Sequence, residues 1–259
     1  MITFFRKIRQ KLLSQNQITR YLVYALGEIV LVVIGILIAL QINTWNENIK
    51  LNQQQKSYLT RLIQENKSDV LTFAAEIERL EKNSEKIANL SSILNSKVYS
   101  DSLLVLSTTE FIIYGSLYPS FNPSISTYED LSSTGNLGII KDTGLRDQIV
   151  AHYKKYQAVE LDFKVNTDWA IPIDAPLFMQ TDALRFDTGL TSFLFSEISV
   201  GTMADEIKAN QELYLRNAAL HYWINKDCIR LLNEINAETL IFINHLEDSI
   251  KSDKKSSKE

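Results

Sequence analysis

Residues 21–40, YLVYALGEIVLVVIGILIAL, constrain this chain more than any other stretch: twenty consecutive residues with a single charge, Glu28. As a helix they extend about 30 Å, the thickness of a bilayer's hydrocarbon core. Tyr21 and Tyr24 at one end and Trp45 beyond the other suit the two interfaces. A cleaved signal peptide is the main competitor. Its apolar core is usually shorter, about 7–15 residues, and ends in a small-residue cleavage site, which residues 38–42 do not offer. The sequence therefore predicts an uncleaved anchor over 21–42.

The flanks orient it. Arg6, Lys7, Arg9, Lys11 and Arg20 precede the span without an acid among them, whereas Lys50, Lys56 and Arg61 after it are diluted by Glu47 and Glu65. Positive charge stays inside, so the N-terminus is expected in the cytoplasm of a bacterial cell and the rest in the periplasm. Residues 1–20 read as a basic leader whose Phe4, Phe5, Ile8 and Leu12 share one face, suited to the membrane surface. A solvated leader that only sets topology, or an organellar transit peptide, are the alternatives.

Without those five bases and Glu28, the remainder holds 22 bases and 30 acids. That balance argues against nucleic-acid binding, which needs clustered Lys and Arg. With 8 Gly and 4 Pro in 259 residues, long helices are favoured over strands and turns. The expected fold is all-α, one transmembrane helix continuing into an elongated extracytoplasmic helical bundle over 43–250, with a charged, disordered tail at 251–259. Val70, Phe73, Ile77, Leu80, Ile87 and Leu94 repeat at three and four residues, with Ser84 and Ser91 in the missing slots. Polar Asn66, Ser84 and Ser91 on this seam suit one wall of a bundle better than a pure coiled coil. A second helix is expected over 102–118, and a loop at Pro119 and Pro123. A helical hairpin follows, with Ser126 and Glu129 at capping-box spacing and Gly135 as a left-handed stop. The hairpin's second helix covers about 145–165. Residues 169–190, with Pro172 and Pro176, read as a crossover loop. The last helix starts near Asp205 or Asn210 and carries Ile224, Cys228, Leu231, Ile235, Thr239, Phe242 and Leu246 on one stripe.

The strings FFRKIRQKLL (4–13) and GEIVLVVIGILIALQINTWNE (27–47) resemble the signature of an uncharacterised single-span membrane-protein family widespread in Bacteroidota. TYEDL (127–131), STGNLGII (133–140), LRDQIV (145–150) and Tyr153 form a second, less specific block of likeness. The resemblance covers about a third of the chain at most. It implies a one-span envelope protein with a helical soluble domain, and brings no activity, cofactor or catalytic residue.

The residues themselves carry no catalytic pattern. His152, His221 and His245 are dispersed, and no H-E-x-x-H, C-x-x-C, phosphate loop or G-x-S-x-G occurs. The single cysteine, Cys228, allows no internal disulfide and sits in an apolar stripe. No enzyme, cofactor or metal site is therefore expected. Glu28, Gly35 and Ala39 fall on about one helical face, which suits association of spans; a shallow acid with incidental small residues is the plainer reading. Tyr128, Gly135, Asn136, Arg146 and Tyr153 form the candidate interaction patch, with Arg146 near Asp142 and Asp147 and with Tyr156 nearby. The plainer reading there is a tight turn holding the bundle together. The favoured function is a self-associating membrane interaction protein docking an unknown envelope partner. The runner-up is a ligand-sensing module, with a pocket lined by Tyr128, Tyr153 and Trp169, signalling through a separate protein. Ion movement past Glu28 ranks last.

Overall fold

The computed structural model describes residues 18–96 and 98–256; most of the basic leader, 1–17, and the last three residues lie outside them. The described residues form helices joined by turns, with no strand among them. They fall into two compact units, one up to Ser57 and one from Tyr58. Helix α1, Ile18–Leu94, supplies both.

In the first unit, the large apolar side chains between Leu22 and Ile42 are 47–71% exposed. None of the described residues covers them, and a helix this apolar and this long is able to cross a membrane. There its backbone bonds would all be satisfied internally, which is the condition for a span in lipid.

The second unit is an up-down-up-down bundle. Its walls are α1 from Tyr58, then α2 (Asp101–Glu110) running into a π-helical turn (Phe111–Gly115), then α4 (Thr143–Gln180) and α6 (Gln211–Ser256). Ties along the helices set the directions. Lys86 Nζ donates to Glu110 Oε1 (2.6 Å), Lys155 Nζ to Glu238 Oε2 (2.6 Å), Lys67 Nζ to Glu247 Oε1 (2.7 Å), and Gln211 Nε2 to the Leu94 carbonyl (2.8 Å). The expected seam of α1 faces inward: Phe73, Leu80, Ser84, Ile87 and Leu94 are buried, with Val70 and Ile77 at its margins. Ser84 costs little there because its hydroxyl donates to the Leu80 carbonyl of its own helix (2.8 Å). The expected stripe of α6 is buried throughout.

Helix α2 widens into the π turn where Gly115 meets α1. A Cβ at Gly115 would stand 2.8 Å from Phe111 Cδ2 and 3.0 Å from Ile87 Cγ1. The loop after it is stitched onto α1. Glu76 Oε1 accepts the Ser120 N–H (2.8 Å), Arg79 donates to the Tyr118 carbonyl (3.1 Å), and Phe121 stacks on Phe73 with centroids 5.1 Å apart.

Helix α3 (Ser126–Ser133) begins differently from the capping box read at Ser126 and Glu129. Its N-cap residue, Ile125, makes no side-chain cap. Glu65 of α1 takes that role, accepting from Ser126 Oγ (2.7 Å), Thr127 Oγ1 (2.7 Å) and the Thr127 N–H (3.3 Å). A carboxylate from another helix suits the positive end of α3 as well as a local one would. Gly135 closes the turn at φ +74°, the left-handed stop expected of it. Gly135→Ala is expected to lower unfolding free energy by roughly 1 kcal/mol, since Cβ strain and not crowding is the penalty there. Chemical unfolding of the chain in detergent measures this.

The largest departure from the sequence reading is α4, which runs straight through Pro172 and Pro176 to Gln180. Each proline removes one N–H and crowds the preceding turn. Burial of Ala170, Asp174 and Leu177 against the bundle outweighs that local preference. A 3-10 turn (Ala183–Phe186), one short turn (Thr188–Thr191) and α5 (Val200–Ala209) follow. Asn210 separates α5 from α6, which continues to Ser256 and so takes in the first residues of the stretch expected to be a disordered tail.

Candidate functional site

The expected association face lies on the apolar part of α1. Gly35 has nothing within 4 Å of its Cβ position, Ala39 is exposed and Glu28 is half-exposed.

The residues of the expected patch near Gly135 make contacts within the bundle. Tyr128 stacks on Tyr153 (centroids 4.4 Å), and Tyr153 is only 1% exposed. Asn136 Nδ2 donates to the Tyr58 hydroxyl (3.2 Å). Arg146 turns its guanidinium onto the Ile140 carbonyl (3.0 Å), and Asp142 caps α4 by accepting the Leu145 N–H (3.1 Å). These residues pin the α3–α4 turn to the bundle. The three aromatics expected to line a pocket do not meet in one: Trp169 lies sixteen residues beyond Tyr153 on α4, about 24 Å of helix, and packs edge-on against Trp223 (5.6 Å).

Two buried polar clusters hold the functional interest instead. The first centres on Asn66 of α1, flagged in the sequence only as a polar residue on the seam. Its Nδ2 donates to the Leu62 carbonyl (2.8 Å) and the Tyr153 hydroxyl (3.0 Å). Its Oδ1 accepts from His152 Nε2 (2.8 Å) and the Tyr156 hydroxyl (3.1 Å). The tautomer that donates at Nε2 follows from this network. Burial, assisted by the charge of Lys155, pushes His152 down to about 4, so the imidazole is neutral at pH 7. Tyr156 also lies 3.3 Å from Asp69 Oδ2 and 3.2 Å from Thr239 Oγ1. One phenolic proton has three oxygen neighbours. Burial raises the Asp69 carboxyl, against hydrogen bonds from Ser124 and Tyr156 that lower it. The cluster locks α1, α4 and α6 together.

The second cluster is a polar layer across the bundle, with one apolar core on each side. On α1, Asn83 and Ser84 stand between Leu80 of one core and Ile87 of the other; on α4, Asp174 stands between Ala170 and Leu177; on α6, His221 stands between Ala218 and Ile224. His221 Nε2 is 3.1 Å from both Asp174 oxygens, and the Tyr118 hydroxyl donates to Asp174 Oδ2. Burial and the neighbouring carboxylate raise the Tyr118 phenol, so it stays a donor. Asp174 fell in the supposed crossover loop, which hid its pairing. The i, i+4 recurrence of Asn217, His221 and Asn225 was the signal available.

Cys228, buried in the first core, accepts from Asn166 Nδ2 (3.7 Å), and burial pushes its thiol up to about 12. It is an inert core thiol. Among the described residues, no three His, Cys, Asp or Glu side chains are placed to hold a metal ion.

Fold and contacts together define a class: an all-helical bundle carrying one helix fit to span a membrane, with a polar layer and a buried polar lock inside. Within that class the chain belongs to DUF6090, a family of unknown function, which it matches over residues 28–164. The match takes in the span from Glu28 and the Asn66 cluster apart from Thr239, but stops before Asp174 and His221. No curated protein and no solved structure matches the chain.

Proposed function

We propose that this chain is a membrane-anchored interaction protein of the bacterial envelope, associating with copies of itself and docking an envelope partner. The bundle lies on the periplasmic side of the inner membrane and the basic leader in the cytoplasm. It acts by binding rather than by catalysis, with no cofactor. The observation that carries this reading is the contrast between the two units. Apolar side chains of α1 between Leu22 and Ile42 stand open on every side, while the unit from Tyr58 buries a core of its own. An anchor joined to a self-contained bundle needs no other part of the chain to complete it. Self-association is assigned to the Glu28, Gly35 and Ala39 face, where small residues permit close approach of backbones.

Chemical crosslinking and mass measurement in detergent test it. Wild type is expected as a multiple of the chain mass. Gly35→Leu is expected to weaken association about tenfold, the effect of losing 1–2 kcal/mol of helix–helix interaction. Monomer alone in wild type counts against self-association.

A second reading, a ligand-sensing module that signals through another protein, is favoured by one observation: the polar layer buried between the two apolar cores.

A further inference from the structure

We propose that the polar layer is a binding site for a small uncharged molecule bearing hydroxyl or carboxamide groups. The proposal extends the sensing reading and stands whether or not copies of the chain associate.

Asn217, His221 and Asn225 occupy successive turns on one face of α6 and are 0–1% exposed. Open polar atoms run along them. His221 Nδ1, Asn217 Oδ1 and both amide atoms of Asn225 have no hydrogen-bond partner. Across the bundle, Nδ2 of Asn83, itself 5% exposed, is also unpartnered. Asn83, like Asp174 and His221, stands where one apolar core gives way to the other. Buried polar atoms are nearly always satisfied, so five of them in this part of the bundle point to an occupant.

The open atoms describe it. With Nε2–H given to Asp174, His221 Nδ1 offers a lone pair, as do Asn217 Oδ1 and Asn225 Oδ1. Asn83 and Asn225 offer N–H groups. An occupant must therefore both donate and accept, as a hydroxyl or primary amide does. The layer presents Asp174, so a carboxylate or phosphate would meet repulsion there. The file from Asn217 to Asn225 spans about 12 Å of helix. A helical irregularity, the π turn at Phe111–Gly115, precedes Tyr118, which donates to Asp174. Such departures from regular α-helix are common at functional sites. Tyr118, half-exposed, connects Asp174 to the surface.

The test is thermal unfolding of the full-length chain in detergent with erythritol, sorbitol or propionamide as probe, compared with Asn225→Leu. Polyols stabilise most proteins by exclusion, with a shift that grows without saturating and is shared by wild type and variant. A site adds a saturable shift present in wild type alone, about 5–10 °C at a hundredfold excess over Kd. Asn217→Leu serves if Asn225→Leu does not fold. Shifts that are equal and unsaturable in both proteins for all three probes would overturn the assignment and leave the layer to water.

Discussion

Asn66→Ala is expected to lower the unfolding free energy of the bundle by about 3–5 kcal/mol, the largest effect of any single substitution away from the anchor. The alanine removes two donated and two accepted hydrogen bonds at once. It leaves the His152 N–H and the Tyr153 hydroxyl in an interior that water does not reach, on side chains 5% and 1% exposed, while the Tyr156 hydroxyl keeps Asp69 and Thr239. Each stranded group costs about 1–3 kcal/mol, and the terms do not simply add because the two share one partner. Urea unfolding in detergent measures the change. Asn89→Ala provides the contrast: Asn89 is exposed and donates one long bond to Ser107 (3.3 Å), so its loss should stay within about 0.5 kcal/mol. Equal effects at the two positions would remove Asn66 from its role as the hub.

The same cluster sets an acid response. His152 titrates near 4 in the folded chain against 6.5 in the unfolded one. Between those values the unfolded chain binds a proton that the native chain refuses, so stability falls as pH drops from 6.5 through 4. The full interval corresponds to about 3 kcal/mol. Asp69 acts in the opposite sense. Its raised carboxyl keeps a proton in the native state above 3.8, so from 3.8 upward to its folded value stability falls as pH rises, against the His152 slope. His152→Gln separates the two, since its amide can still donate to Asn66 while carrying no titration. The variant should lose the decline between 6.5 and 4 and retain the Asp69 slope. An unchanged decline in His152→Gln would show that another group carries it.

Much of the fold was legible because its signals are periodic or local. The apolar run ending near Ile42, the inward seam of Phe73, Leu80 and Leu94, the α6 stripe from Ile224 to Leu246 and the left-handed Gly135 follow from spacing and backbone preference. The failures share a cause, a distant partner that outweighs a local rule. Pro172 and Pro176 mark a loop by local chemistry, but the burial of Ala170, Asp174 and Leu177 keeps α4 helical. Ser126 and Glu129 have capping-box spacing, but Glu65 of α1 occupies the N-terminus of α3. Arg146 was paired with nearby acids, although the Ile140 carbonyl offered two bonds. The candidate site was the least legible part. Asn66, Asp174 and His221 are each unremarkable in sequence and become distinctive only when the helices bring Asn66 onto His152, Tyr153 and Tyr156, and Asp174 beside His221.

The anchor is the claim on which the rest of the functional proposal depends. Membranes containing the full-length chain are washed with alkaline carbonate, and the pellet and supernatant are compared by immunoblot. The chain should remain in the pellet at its full length of 259 residues, as an uncleaved apolar span over 21–42 requires. Release into the supernatant, or a product shortened by the length of the leader and span, would contradict the anchor.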